Sequence, residues 1–172
     1  MADAGEGQET FLLSPSADTS RRLDHWLPLL RLWTGDCPVV EVGSTGIPGL
    51  PTKGDLDVAA MAAGTTTWQH AVDALHRHLA PHEPQHWSPT WASFRGDGPA
   101  GDVGVHVVSE GSDEDAYLRG FRALLMHDPA VVARYRALKT RHDGGAMAAY
   151  RAAKGRFVAA ELAAHDGPPA RS

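Results

Sequence analysis

Gly43-Ser44-Thr45-Gly46-Ile47-Pro48-Gly49-Leu50-Pro51-Thr52-Lys53-Gly54-Asp55-Leu56-Asp57-Val58 is the stretch that decides the fold. It follows the short apolar run ending at Val42, so a Gly-Ser turn closes a strand. A loop rich in glycine and proline then enters an alternating segment. Side chains alternate across a strand, so Asp55 and Asp57 share one face while Leu56 and Val58 share the other. Gly43 lets the backbone approach a phosphate, and Ser44 adds a hydroxyl and N–H groups. Neighbouring carboxylates suit a divalent cation that keeps phosphate oxygens among its ligands, which points to Mg2+ or Mn2+. Taken alone, the aspartates also fit a charged edge strand, and Gly43-Ser44 an ordinary turn.

Working outward, Leu23, Trp26, Leu27, Leu30 and Trp33 recur at helical spacing and predict a helix over Arg21 to Trp33. Asp18-Thr19-Ser20 offers its caps and Gly35 its stop. Pro38 to Val42 reads as a strand, as does Asp55 to Met61. Trp68, Val72, Leu75 and Leu79 form one stripe of a helix over Thr66 to Leu79. His82 to Pro89 reads as a loop. Trp91 to Arg95 and Val103 to Ser109 read as strands around the turn Gly96-Asp97-Gly98-Pro99-Ala100-Gly101. Beyond Ser112 the chain is helical: one helix from Asp113 to His127, a second opened by Asp128-Pro129, and a third over Ala146 to His165. The order predicts an α+β domain over residues 18–165 with a helical C-terminal third. Residues 1–17 and 166–172 read as loose tails.

Composition bounds the chemistry. The chain has 172 residues, 42% of them hydrophobic, and a formal net charge of −5. That balance argues against a broad nucleic-acid surface, which needs clustered Lys and Arg. It leaves room for a local basic pocket around a small anion. Cys37 is the single cysteine, so an internal disulfide or cysteine-built zinc site is excluded. No apolar run approaches a membrane span, and a cytoplasmic protein is expected. Walker A, Rossmann and Gly-x-Ser-x-Gly fingerprints are absent.

Gly43-Ser44-Thr45-Gly46-Ile47-Pro48-Gly49-Leu50 followed by Lys53-Gly54-Asp55-Leu56-Asp57-Val58 closely resembles the signature of GrpB proteins. Phe121-Arg122, Asp128-Pro129, Tyr135, Leu138-Lys139, Tyr150 and Lys154-Gly155-Arg156-Phe157 resemble that family's C-terminal helices. The resemblance runs over roughly residues 20–163. It implies the nucleotidyltransferase fold: a mixed sheet bearing the Gly-Ser turn and the carboxylates, with helices packed around it. Many relatives have an apolar residue at the position of Asp55, so this chain resembles active nucleotidyltransferases more fully than they do. Some relatives are fused to dephospho-CoA kinase, which implies a possible partner enzyme.

Nucleotidyl transfer implies Asp55 and Asp57 as metal ligands, with Gly43, Ser44 and Thr45 around phosphate. A third carboxylate normally sits on a neighbouring strand. On Asp102-Val103-Gly104-Val105-His106-Val107-Val108, the residues on one face are Asp102, Gly104 and His106. His106 falls where the relatives carry His or Gln, and it can act as ligand, base or substrate contact. Lys53, Arg95, Arg122, Lys139 and Lys154 are the candidate phosphate contacts. Tyr135 and Tyr150 read as core residues with wet hydroxyls. His76, His78, His82 and His86 lack convergent metal-ligand spacing and read as a solvated helix end and loop.

The expected function is binding of ATP or another nucleoside triphosphate with Mg2+, acting at the α-phosphate on a small-molecule acceptor. The alternative is a catalytically inactive module that binds nucleotide or a partner enzyme in a chaperone-like role. An antibiotic-modifying activity rests on fold analogy alone.

Overall fold

The computed structural model describes residues 9–13, 20–54 and 56–165. Asp55, the cap candidates Asp18 and Thr19, the C-terminal stretch 166–172 and residues 1–8 and 14–17 of the expected N-terminal tail lie outside the described residues.

In chain order the elements are α1 (Ser20–Thr34), β1 (Val39–Glu41), β2 (Leu56–Ala62), α2 (Thr65–His76), β3 (Ala80–Pro81), β4 (Trp91–Gly96), β5 (Val103–Ser109), α3 (Asp113–His127), α4 (Pro129–His142) and α5 (Met147–His165). The strands form one sheet in the order β1-β2-β5-β4-β3. β2 and β5 run parallel and every other pair is antiparallel. This is the mixed-sheet α+β architecture expected, with its helical C-terminal part.

Alternation assigns the two faces of that sheet. Leu56, Val58, Ala60, Val103, Val105, Val107, Ala92 and Phe94 are buried against Trp26 and Leu30 of α1 and Trp68, Val72 and Leu75 of α2. Burial on this scale supplies ~1.5–3 kcal/mol for each large apolar side chain and fixes the strand register. The opposite face carries Asp57, Gly104 and His106, and further along Ala59, Met61 and Val108 pack with Val42 and Leu118. The C-terminal helices have their own core, in which Phe121, Leu125, Val131, Tyr135 and Val158 enclose Ile47 and Leu50. The loop after the Gly-Ser turn is therefore pinned by its two apolar residues.

The helix starts follow their caps. Ser112 Oγ accepts from the Asp115 N–H at 3.2 Å, and Asp128 Oδ1 accepts from the Ala130 N–H at 2.8 Å ahead of Pro129. Two expectations change. The helix expected to reach Leu79 ends at His76, because Ala80 and Pro81 pair with Arg95 and Phe94 as an added edge strand. Within the expected loop, Pro84–His86 form a 3-10 turn.

A further change concerns the N-terminal stretch. Glu9 to Leu13 are docked: Phe11 is fully buried and stacks on Tyr150 with ring centroids 3.8 Å apart. Its N–H donates to the Gly145 carbonyl at 2.8 Å, and its carbonyl accepts from the Gly144 N–H at 2.8 Å. Phe11 closes a satellite core with Met147 and Tyr150, which outweighs the polar composition around it.

Among the described residues, no helix is long and apolar enough to cross a membrane.

Candidate functional site

The register of β2 against β5 and β4 builds the site floor. Asp57 pairs with Gly104, which pairs with Arg95. Two residues on, Ala59 pairs with His106, which pairs with Ser93. The Val42 N–H donates to the Asp57 carbonyl at 2.9 Å, so the chain enters the Gly-Ser turn directly beside Asp57.

Two glycines flank the Asp57 carboxylate, and Gly104 makes room for it. A Cβ on Gly104 would lie 2.8 Å from Asp57 Oδ1, closer than real contacts allow. A Cβ on Gly43 would lie 3.4 Å from Oδ2, and the φ of Gly43 is +71°, which favours glycine. Gly104 carries a signal in the sequence: a glycine inside an alternating valine strand marks a close approach.

Above this floor opens a cleft of about 220 Å³. Asp57, Lys53, Arg95, His106 and Lys154 line it together with Tyr150, so five of the expected site residues share one cleft. Arg151, which sequence reasoning did not single out, lines it too and pairs with Glu83 Oε1 at 3.0 Å. Burial acts to raise the Glu83 carboxyl, yet Arg151 and His82 hold it below its ordinary value. His82 is also shifted down, for a different reason: burial, with Arg95 nearby, lowers its pKa from the usual imidazole value. His106 stacks on Trp91 at 4.6 Å between centroids, so that tryptophan fixes the ring's plane. Nothing in the spacing of Trp91 marked it for this role.

The remaining expected contacts lie around the turn. Lys139 is only 2% exposed, and its ammonium donates to Ser44 Oγ at 2.7 Å and to the Pro51 carbonyl at 2.8 Å. It spans both ends of the loop and ties them to α4. Arg122 Nη1 donates to the Glu41 carbonyl at 2.8 Å and lies 2.9 Å from where a Cβ on Gly46 would fall. Thr45 Oγ1 donates to the Val42 carbonyl at 3.3 Å. These three side chains brace the turn from behind, while Lys53, Arg95 and Lys154 face the cleft.

Tyr135 and Tyr150 do not keep the wet hydroxyls expected of them. Their hydroxyl oxygens lie 3.1 Å apart and hydrogen-bond each other in the interior. Burial raises both phenols well above their ordinary value, so both remain protonated.

For a metal, the carboxylate and imidazole groups that line the cleft are Asp57, His106, Glu83, His82 and His86. Among the described residues no group of three or more His, Cys, Asp and Glu side chains converges as a metal cluster, and Asp55 lies outside them. The space beside Asp57 that either Cβ would fill fits a small hard cation bound through carboxylate oxygen.

The GrpB protein family model matches residues 17–163. The crystal structure of conserved protein GrpB from Enterococcus faecalis superposes with a TM-score of 0.67 at 19% identity, covering 90% of this chain and 99% of that one. The Cid1 poly(U) polymerase in its MgGTP-bound form gives a TM-score of 0.47 at 14% identity, covering 72% of this chain and 41% of that one. No curated protein matches the chain. With the family model spanning nearly all of the sequence, and the sheet, turn and helices arranged as described, the chain belongs to the GrpB family.

Proposed function

We propose that the chain binds a nucleoside triphosphate with Mg2+ and transfers its nucleotidyl group to a small-molecule acceptor. The observation that carries this reading is the Asp57 carboxylate set between Gly43 and Gly104 at the floor of a cation-lined cleft. Asp57, with Asp55 preceding it in the sequence, would hold the metal. Bound there, Mg2+ would supply charge neutralisation at the α-phosphate. Lys53, Arg95 and Lys154 draw the phosphates into the cleft and orient them. The Gly43-Ser44 turn, braced by Lys139 and Arg122, offers phosphate a backbone approach. In the reaction, an acceptor oxygen bonds to the α-phosphorus while the bond to the leaving pyrophosphate breaks. His106, its ring stacked on Trp91, would take the acceptor's proton.

A crystal structure with a non-hydrolysable triphosphate and Mg2+ tests this. The expected result is phosphate at the Gly43-Ser44 turn and metal on Asp57. Nucleotide bound elsewhere, or none bound, would overturn the reading.

One observation favours a second reading. The residue opposite Asp57 on β5 is Gly104, and the next on that face is His106, where an active transferase carries a carboxylate. On this reading the domain binds nucleotide without turnover and serves a partner enzyme. Release of pyrophosphate from a triphosphate, lost in Asp57→Asn, separates the two: turnover rules out the inactive module.

A further inference from the structure

Trp91 stands between two cavities of opposite charge. On one side is the cleft with Lys53, Arg95 and Lys154. On the other is a groove of about 450 Å³ lined by His86, Ser88, Trp91, Asp113, Glu114 and Tyr117. His86 and Trp91 belong to both linings, so the two spaces adjoin across the ring that stacks on His106. Resting on the nucleotidyl-transfer reading, we propose that this groove receives the acceptor, and that the acceptor carries a protonated amine.

Three features argue for a cation. Two aromatic rings, Trp91 and the 37% exposed Tyr117, form the walls, and aromatic faces attract ammonium groups. Two carboxylates, Asp113 and Glu114, share the lining with no Lys or Arg among it. Asp113 is beyond the needs of the α3 N-terminus, which Ser112, Asp115 and Glu114 meet. Asp115 already serves that end of the helix, accepting from the Gly111 N–H at 2.9 Å and pairing with Arg119.

Glu114 is also held in place. Its Oε2 accepts from Thr90 Oγ1 at 3.0 Å and its Oε1 from Ser88 Oγ at 3.5 Å, both on the segment leading into Trp91. Its own backbone N–H and these hydroxyls keep the carboxylate below its usual pKa, so the charge persists at neutral pH. An anionic acceptor would meet both carboxylates. A neutral apolar one would leave them desolvated. The volume lies within the range of small-molecule sites and suits a short amine. Phosphate on the cationic side and ammonium on the anionic side would then approach each other at His106.

The test uses the whole protein and two probes of equal length, 1,4-diaminobutane and 1,4-butanediol, titrated by calorimetry at low salt. The diamine is expected to bind and the diol not to, with binding weakened by added salt. Asp113→Asn/Glu114→Gln is expected to lower diamine affinity about tenfold or more. Tyr117→Leu, on a partly exposed wall that tolerates substitution, is expected to lower it severalfold. Equal affinity for both probes, or diamine affinity unchanged in both variants, would overturn the inference. A parallel MgATP titration keeps the two proposals apart. MgATP bound and diamine ignored overturns the groove alone, whereas neither bound overturns both. Diamine bound without MgATP overturns nucleotidyl transfer and the acceptor assignment built on it.

Discussion

Strands β2 and β5 present two faces made by the same backbone one residue apart. Leu56, Val58, Val103, Val105 and Val107 are sealed under α1 and α2. Asp57, Gly104 and His106, interleaved with them, face the cleft. The apolar face fixes register through burial, and that register brings Gly104 opposite Asp57 and Arg95 opposite Gly104. Rigidity is therefore imposed from the side that does no chemistry. A slip of one residue would exchange the faces, so fold and site stand or fall together.

The comparison breaks most severely at Phe94, fully packed on the apolar face. Phe94→Ala should cost ~3–5 kcal/mol, read by chemical denaturation, and should abolish ligand binding only by unfolding. Lys139→Met comes next. It leaves Ser44 Oγ and the Pro51 carbonyl without their buried donor, and should cost ~1–3 kcal/mol while loosening the Gly-Ser turn. Denaturation and MgATP titration should both respond, unlike at Phe94, where folded molecules bind normally.

Gly104→Ala sharpens the contrast from the cleft side. The added methyl meets Asp57 Oδ1, so MgATP affinity should fall about tenfold, equal to ~1.4 kcal/mol of binding, with a smaller change in stability. The smallest effect is at His82. Its pKa in the folded protein lies below the unfolded value near 6.5, so the unfolded chain binds the extra proton first. Its contribution to stability is complete above pH 6.5 and is lost as pH falls from there through the depressed folded value. The melting temperature should therefore drop slightly less on acidification in His82→Asn than in the parent.

Much of this was legible in the sequence where local signals suffice. β5 spans Val103–Ser109 and α3 spans Asp113–His127, as alternation and the Ser112 cap predict. The Gly-Ser turn next to Asp57 was equally legible. Features that depend on distant segments meeting were not. Lys139 reads as a candidate phosphate contact until α4 meets the 44–51 loop 95 residues earlier in the chain, where it braces the loop. Phe11 reads as part of a polar tail until Tyr150 offers its ring. Trp91 reads as a strand aromatic until the sheet sets it against His106. In each case the partner lies too far along the chain for periodicity or capping to register it.

The central claim is that Asp57, framed by Gly43 and Gly104, holds the metal-bound phosphates of a nucleotide. Calorimetric titration of MgATP into the parent protein and Asp57→Asn tests it most directly. The account predicts saturable binding by the parent, dependent on Mg2+, and at least a tenfold loss in the variant, or ~1.4 kcal/mol. Equal affinity in the two proteins, or no binding by the folded parent, would contradict it.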